Sequence, residues 1–149
     1  MEQNEKLRLE NQLCFPLYVC SKEIVRRYTP FLEPIGLTYT QYLAMLALWE
    51  REVMTVKELG QMIYLDSGTL TPMLKKLEVK GYLKRMRSAS DERSVVLTLT
   101  DEGRELKKQA ADIPDKASLC MKIDPQDEKI LHEILNRIIS GFGEEEPQS

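Results

Sequence analysis

Histidine is nearly missing from this chain, with His132 the only one. Cysteine is scarce as well. Cys14, Cys20 and Cys120 lie far apart, without a CxxC pair. Those two shortages remove the usual ligand sets of zinc, so no metal is expected. An odd, sparse set of thiols does not resemble the disulfide framework of a small secreted protein. Glycine-rich phosphate loops are missing too, and no serine-histidine-aspartate set stands out. The composition therefore points away from an enzyme and from any cofactor. No apolar run approaches the roughly 18 residues that span a bilayer. The segment Met1–Glu10 is charged, without the apolar stretch of a signal peptide. No membrane partner is expected, and the cytoplasm is the expected compartment.

What is present suits one folded domain. Hydrophobic residues make up 42% and charged residues 30% of 149 positions, enough apolar material for a core without disulfides. The net charge of -3 argues at first against nucleic acid. Its distribution argues otherwise. Between Pro72 and Ser88 stand Lys75, Lys76, Lys80, Lys84, Arg85 and Arg87, with Glu78 as the lone acid. Much of the acid lies elsewhere, including Glu144-Glu145-Glu146. A basic cluster alone is as readily a solvated helix face, so its neighbours must decide.

Those neighbours read as follows. Apolar spacing predicts a helix over 7–28, with a kink or restart at Pro16. Thr29-Pro30 and Glu33-Pro34-Ile35-Gly36 read as turns. A second helix covers 40–51, with Leu43, Leu46 and Ala47 inward. Thr55 and Glu58 form a capping box for a short helix to Tyr64. The next helix starts at Asp66 or Ser67 and runs to Lys80, with Leu70, Met73, Leu74 and Leu77 on one face. Gly81 supplies its left-handed stop. Strands at 83–87 and 94–99 follow, joined by a polar tip. Thr100 then caps a helix running toward Ile113, which Pro114 bends or ends. Asp124-Pro125 opens the last helix, whose apolar stripe reaches Phe142. Residues 143–149 read as a disordered tail. The fold class is mainly α with a small β-hairpin wing.

A helix-turn-helix followed by a basic hairpin can touch both grooves of DNA. Ser67, Thr69 and Thr71 can bond base edges and phosphates. Lys75 and Lys76 suit phosphates, and Arg85, Arg87 and Arg93 suit the hairpin. Arg93, near the tip, can enter the minor groove or shape the tip by pairing with Asp91. The apolar faces near both chain ends suggest a dimer interface.

The run Asp91-x-Arg93 with Leu97-x-Leu99-Thr100-x-x-Gly103 resembles the winged-helix signature of the multiple-antibiotic-resistance repressor (MarR) family. Three further segments resemble its organic hydroperoxide resistance repressors: 9–15, 38–43 and 64–75. The resemblance implies a single domain over 1–149. Its winged helix-turn-helix spans about 38–99, with dimerisation helices at about 7–28 and 101–142. It implies a homodimeric repressor of double-stranded operator DNA, not an enzyme, with organic hydroperoxide as the signal. Carried over by residue, the sensing cysteine is Cys14, hydrogen-bonded by Tyr28 and Tyr39, with either subunit free to supply the tyrosines. A sulfenic acid at Cys14 would condense with a second thiol. In some members that is a small cellular thiol. In others it is a resolving cysteine of the partner chain, for which Cys120 lies in the matching region. Cys20 reads as packing. Three other readings compete: a repressor released by an aromatic ligand, a thiol peroxidase using Cys14, and a winged-helix protein-interaction module.

Overall fold

The computed structural model describes residues 2–91 and 93–143. The short helix α1 covers Gln3–Lys6 and α2 covers Cys14–Leu32. The helix expected over 7–28 thus begins late. Residues 7–13 contain only a 3-10 turn at Leu9–Asn11. Pro16 explains this, because its ring crowds the Gln12 carbonyl and it has no N–H to donate there. As the third residue of α2 it sits in the turn where an N–H has no helical acceptor anyway. The turn expected at Thr29-Pro30 is not observed, since α2 continues through Pro30. The carbonyl that Pro30 leaves free belongs to exposed Arg26, while Leu32, two residues beyond Pro30, is 1% exposed in the core. Burial of Leu32 outweighs one lost hydrogen bond at the surface.

Helix α3 covers Tyr39–Arg51 and is opened by a capping box between Thr38 and Gln41. Its inward residues include Tyr42, Met45, Leu48 and Trp49, as well as Ala47. Leu46, expected inward, is 40% exposed, and Leu43 is half-buried. The helix is apolar almost all round, so periodicity does not single out one face.

Strand β1 covers Val53–Thr55, and α4 follows over Val56–Ile63. Glu58 N–H donates to Thr55 Oγ1 at 3.0 Å, and Thr55 N–H donates to Glu58 Oε2 at 3.3 Å, completing the expected capping box. Helix α5 covers Ser67–Val79. Asp66 caps it, accepting the Thr69 N–H at 2.7 Å, and that hydrogen bond holds the Asp66 carboxyl below its ordinary range. Leu70, Met73, Leu74 and Leu77 are buried as expected. Gly81, at φ +86°, ends the run. Its N–H donates to the Glu78 carbonyl and the Tyr82 N–H donates to that of Leu77, a left-handed close that disfavours any side chain.

Strands β2 (Leu83–Arg87) and β3 (Val95–Leu99) form the expected hairpin, with Leu83 opposite Leu99 and Arg87 opposite Val95. Strand β1 adds to the other edge of β3, giving the antiparallel order β1-β3-β2. Three residues are too few to show an alternation, so this strand was not legible in sequence.

Helix α6 covers Asp101–Ala110, α7 covers Ile113–Met121 and α8 covers Pro125–Phe142. The helix expected toward Ile113 ends at Ala110, and a further helix, α7, begins at Ile113 with Pro114 in its first turn. One core joins the helix-turn-helix, the sheet and α6, including Leu59, Leu74, Leu97, Leu106 and Ala110. Helix α8 buries none of its residues. Ile130, Leu131, Ile134 and Ile138 are all between 39% and 47% exposed. The tail expected at 143–149 falls outside the described residues from 144 onward. No helix among the described residues is long and apolar enough to cross a membrane.

Candidate nucleic-acid interface and thiol site

Helix α5 presents an inner apolar face to α3 and α4 and an outer polar face. Ser67, Thr69, Thr71, Lys75 and Lys76 are all exposed on it. The Thr71 hydroxyl donates back to the Ser67 carbonyl at 2.7 Å, so towards DNA it offers an acceptor. An open groove runs between α4, α5 and the hairpin. Lys57, Gln61, Ser67, Thr71, Arg85 and Arg93 line it. Lys57 and Gln61 were missed in the sequence reading. Their spacing of four on a capped helix was a usable signal, since it puts two polar side chains on the face turned to the next helix.

The basic residues differ in what they touch. Arg87 is exposed on β2. Lys80 Nζ donates to the Gly36 carbonyl. Arg85 is paired with Glu78: Nε and Nη2 donate to Oε1 at 3.2 and 3.1 Å, and the Arg85 N–H donates to Oε2 at 2.8 Å. The expected free contact by Arg85 therefore competes with an ion pair inside the protein. At the tip, Asp91 Oδ1 accepts the backbone N–H of Arg93 at 3.0 Å. The Ser94 N–H donates to the Asp91 carbonyl and the Ser88 N–H to that of Ser94. Asp91 thus shapes the tip through backbone groups, and exposed Arg93 projects from it. We expect Arg93→Ala to weaken DNA binding and to lower the salt slope by about one, as for a lost phosphate or groove cation. Fluorescence anisotropy across a salt series checks this, and unchanged affinity at moderate salt would remove Arg93 from the contact.

The thiols lie elsewhere. Cys14 is exposed at the first residue of α2, the positive end of that helix. Tyr28 and Tyr39 meet edge to face with centroids 5.0 Å apart, and Tyr42 lies 5.8 Å from Tyr28. Burial pushes all three phenols above the ordinary tyrosine value. They therefore remain neutral O–H donors at neutral pH. Cys14 precedes Tyr28 by fourteen residues on one helix, which separates them by about 21 Å. A single chain does not bring the cysteine to the tyrosines.

Cys120, on α7, is half-buried. It lines a small pocket with Ile24, Arg27, Tyr28, Ala117 and Met121. Arg27 Nη1 donates to the Cys120 carbonyl at 3.1 Å, fixing the end of α7 to α2. Cys120 is thus beside Tyr28 and remote from Cys14 of the same chain. Cys20, read as packing, is exposed in the single chain. No group of metal-binding residues occurs among the described residues.

Comparison with known proteins agrees with this architecture. Residues 26–110 match the model of the transcriptional regulator SarA/Rot family. The organic hydroperoxide resistance transcriptional regulator of Bacillus subtilis is 54% identical over 110 residues, 74% of this chain and 75% of that protein. Reduced AbfR bound to DNA, a protein of Staphylococcus epidermidis, superposes with TM-score 0.76 at 38% identity over 96% of this chain and 100% of that one. The disulfide-formed AbfR structure gives TM-score 0.63 at 40% identity over 92% and 96% of the two chains. With its family match covering more than half its length, its helix-turn-helix and its basic wing, this chain belongs to the SarA/Rot-type, MarR-like winged-helix transcriptional regulators, and the organic hydroperoxide resistance regulators are among its relatives.

Proposed function

We propose that this regulator is a cytoplasmic, redox-sensing repressor that binds double-stranded operator DNA as a homodimer and is released when organic hydroperoxide oxidises Cys14. One observation carries the reading. Cys14 and the Tyr28–Tyr39 pair stand at opposite ends of α2, so the sensor is complete only when a second copy runs its α2 antiparallel to the first. The exposed apolar residues of the N-terminal segment, among them Leu13 and Phe15, and the stripe on α8 supply such an interface. In this arrangement residues 38–99 read DNA, while 7–28 and 101–142 join the subunits. Within the latter, α6 also belongs to the core of its own chain.

The chemistry follows from the assembled site. The Cys14 thiolate attacks the hydroxyl oxygen of the peroxide, the O–O bond breaks, and the alkoxide leaves, taking a proton from water to become the alcohol. The sulfur, oxidised by two electrons, becomes a sulfenic acid. The tyrosine hydroxyls donate hydrogen bonds to the charged sulfur before attack. A second thiol then attacks that sulfur, forming S–S and releasing water. Cys120 suits this step, because it lies beside the Tyr28 that receives the partner's Cys14. A low-molecular-weight thiol is the other route. The better agreement with DNA-bound AbfR, reduced and overoxidised alike, than with disulfide-formed AbfR supports a DNA-competent conformation for the chain without that disulfide. A disulfide across the interface then shifts the lobes, so the recognition helices no longer match one DNA turn, roughly 34–36 Å.

The test is binding to the DNA upstream of its own gene, before and after a small excess of cumene hydroperoxide. Wild type should bind tightly and release on oxidation, with a dimer band on a non-reducing gel. Cys14→Ser should bind and ignore the peroxide, and Cys120→Ser should lose the band. Wild-type binding indifferent to peroxide would reject the redox reading. Release without a dimer band would reject Cys120 as resolving thiol.

A further inference from the structure

Glu78 is an odd residue for its place. It is the only acid between Pro72 and Ser88, on the module that meets a polyanion. It also lies near the C-terminus of α5, where the helix dipole disfavours negative charge. Nevertheless its carboxylate is fully engaged by one residue. The Arg85 backbone N–H binds one oxygen, while the Arg85 guanidinium binds the other through two nitrogens. The backbone hydrogen bond first, and the guanidinium with it, hold the Glu78 carboxyl below its ordinary range.

We infer that Glu78 and Arg85 form a clamp that sets the angle of the wing against the recognition helix, and that Arg85 is a positioning residue, not a DNA contact. The contact joins the last turns of α5 to the middle of β2, the two elements that enter different grooves. Gly81 and Tyr82, the link between them, form a tight turn whose carbonyls accept from the Thr100 hydroxyl and N–H, so the hairpin is held at its base and the clamp ties it to α5 further out. Two strand residues, Met86 and Arg87, and the three tip residues to Ser90 extend at most about 16 Å beyond Arg85. A tilt of roughly 10° at Arg85 then moves the tip by up to about 3 Å, enough to lose a hydrogen bond made there. The clamp therefore governs whether Arg93 and the outer face of α5 can engage DNA together.

The test uses full-length protein, a duplex that it selects from random sequence, and a scrambled duplex of equal length. Anisotropy is measured over a salt series. Arg85→Ala should weaken binding to the selected duplex roughly tenfold, the scale of a lost charge-assisted hydrogen bond, and leave the salt slope unchanged. Glu78→Gln, which keeps an acceptor for the Arg85 N–H, should lower the selected-to-scrambled ratio by a similar factor although it removes a negative charge. The double variant should be no worse than the more affected single variant. A slope lowered by about one in Arg85→Ala would make Arg85 a phosphate contact and overturn the clamp. An unchanged ratio in Glu78→Gln would overturn it too, and that variant decides alone if Arg85→Ala does not fold.

Discussion

Gly103→Ala is expected to destabilise the fold by about 3 kcal/mol or more, the upper range for overpacking, despite alanine's better helix propensity. Propensity alone predicts a gain of roughly 1 kcal/mol for this change inside a helix. Geometry reverses the sign. A Cβ on Gly103 would stand 2.3 Å from the Tyr82 carbonyl oxygen and 2.6 Å from Leu99 Cδ1. The first is backbone in the turn between α5 and β2 and cannot swing aside. Relief requires α6 to back away, and three contacts go with it. Trp49 Nε1 donates to the Gly103 carbonyl at 2.8 Å in a buried setting. The Gly103 N–H donates to Thr100 Oγ1 at 3.0 Å, capping α6. The Thr100 hydroxyl in turn donates to the Gly81 carbonyl at 2.5 Å. Urea unfolding measures the change. A loss under about 1 kcal/mol, the size of one ordinary hydrogen bond, would show that α6 can relax without separating these groups.

The second large effect concerns the assembly of the sensor. If each site takes Cys14 from one subunit and Tyr28 and Tyr39 from the other, two defective chains should repair one another. Homodimers of Cys14→Ser should not react with peroxide. Homodimers of Tyr28→Phe/Tyr39→Phe should react at least tenfold more slowly, since each hydrogen bond to a charged group is worth about 1.5–3 kcal/mol. In the mixed dimer, the intact cysteine of one chain meets the intact tyrosines of the other. Half the sites should then oxidise at the wild-type rate. Sulfenic-acid trapping on tagged, co-expressed chains reads this directly. A mixed dimer as slow as the tyrosine variant would place each complete site within one chain, against the separation of about 21 Å along α2.

Sequence by itself determined the elements that local chemistry dictates. Thr55 with Glu58, Asp66 and Thr100 mark helix starts through side-chain oxygens that take free N–H groups. Gly81 marks a stop through its left-handed backbone. The buried face of α5 and the pairing of β2 with β3 follow from periods of 3.6 and 2. The family signature was legible for the same reason, since its residues shape short local turns. Tertiary structure decided what depends on residues far apart in the chain. It ran α2 through Pro30 because Leu32 finds a core that no local pattern announces. It exposed Leu46 because the partners that cover α3 come from elsewhere in the chain and leave that side of the helix open. It matched β1 to β3 across more than forty residues. It gave Arg85 to Glu78, although both lie in a window that charge alone assigns to DNA. It also set Cys14 apart from Tyr28 and placed Cys120 beside that tyrosine. Spacing in sequence measures distance along the chain, and only packing turns it into distance in space.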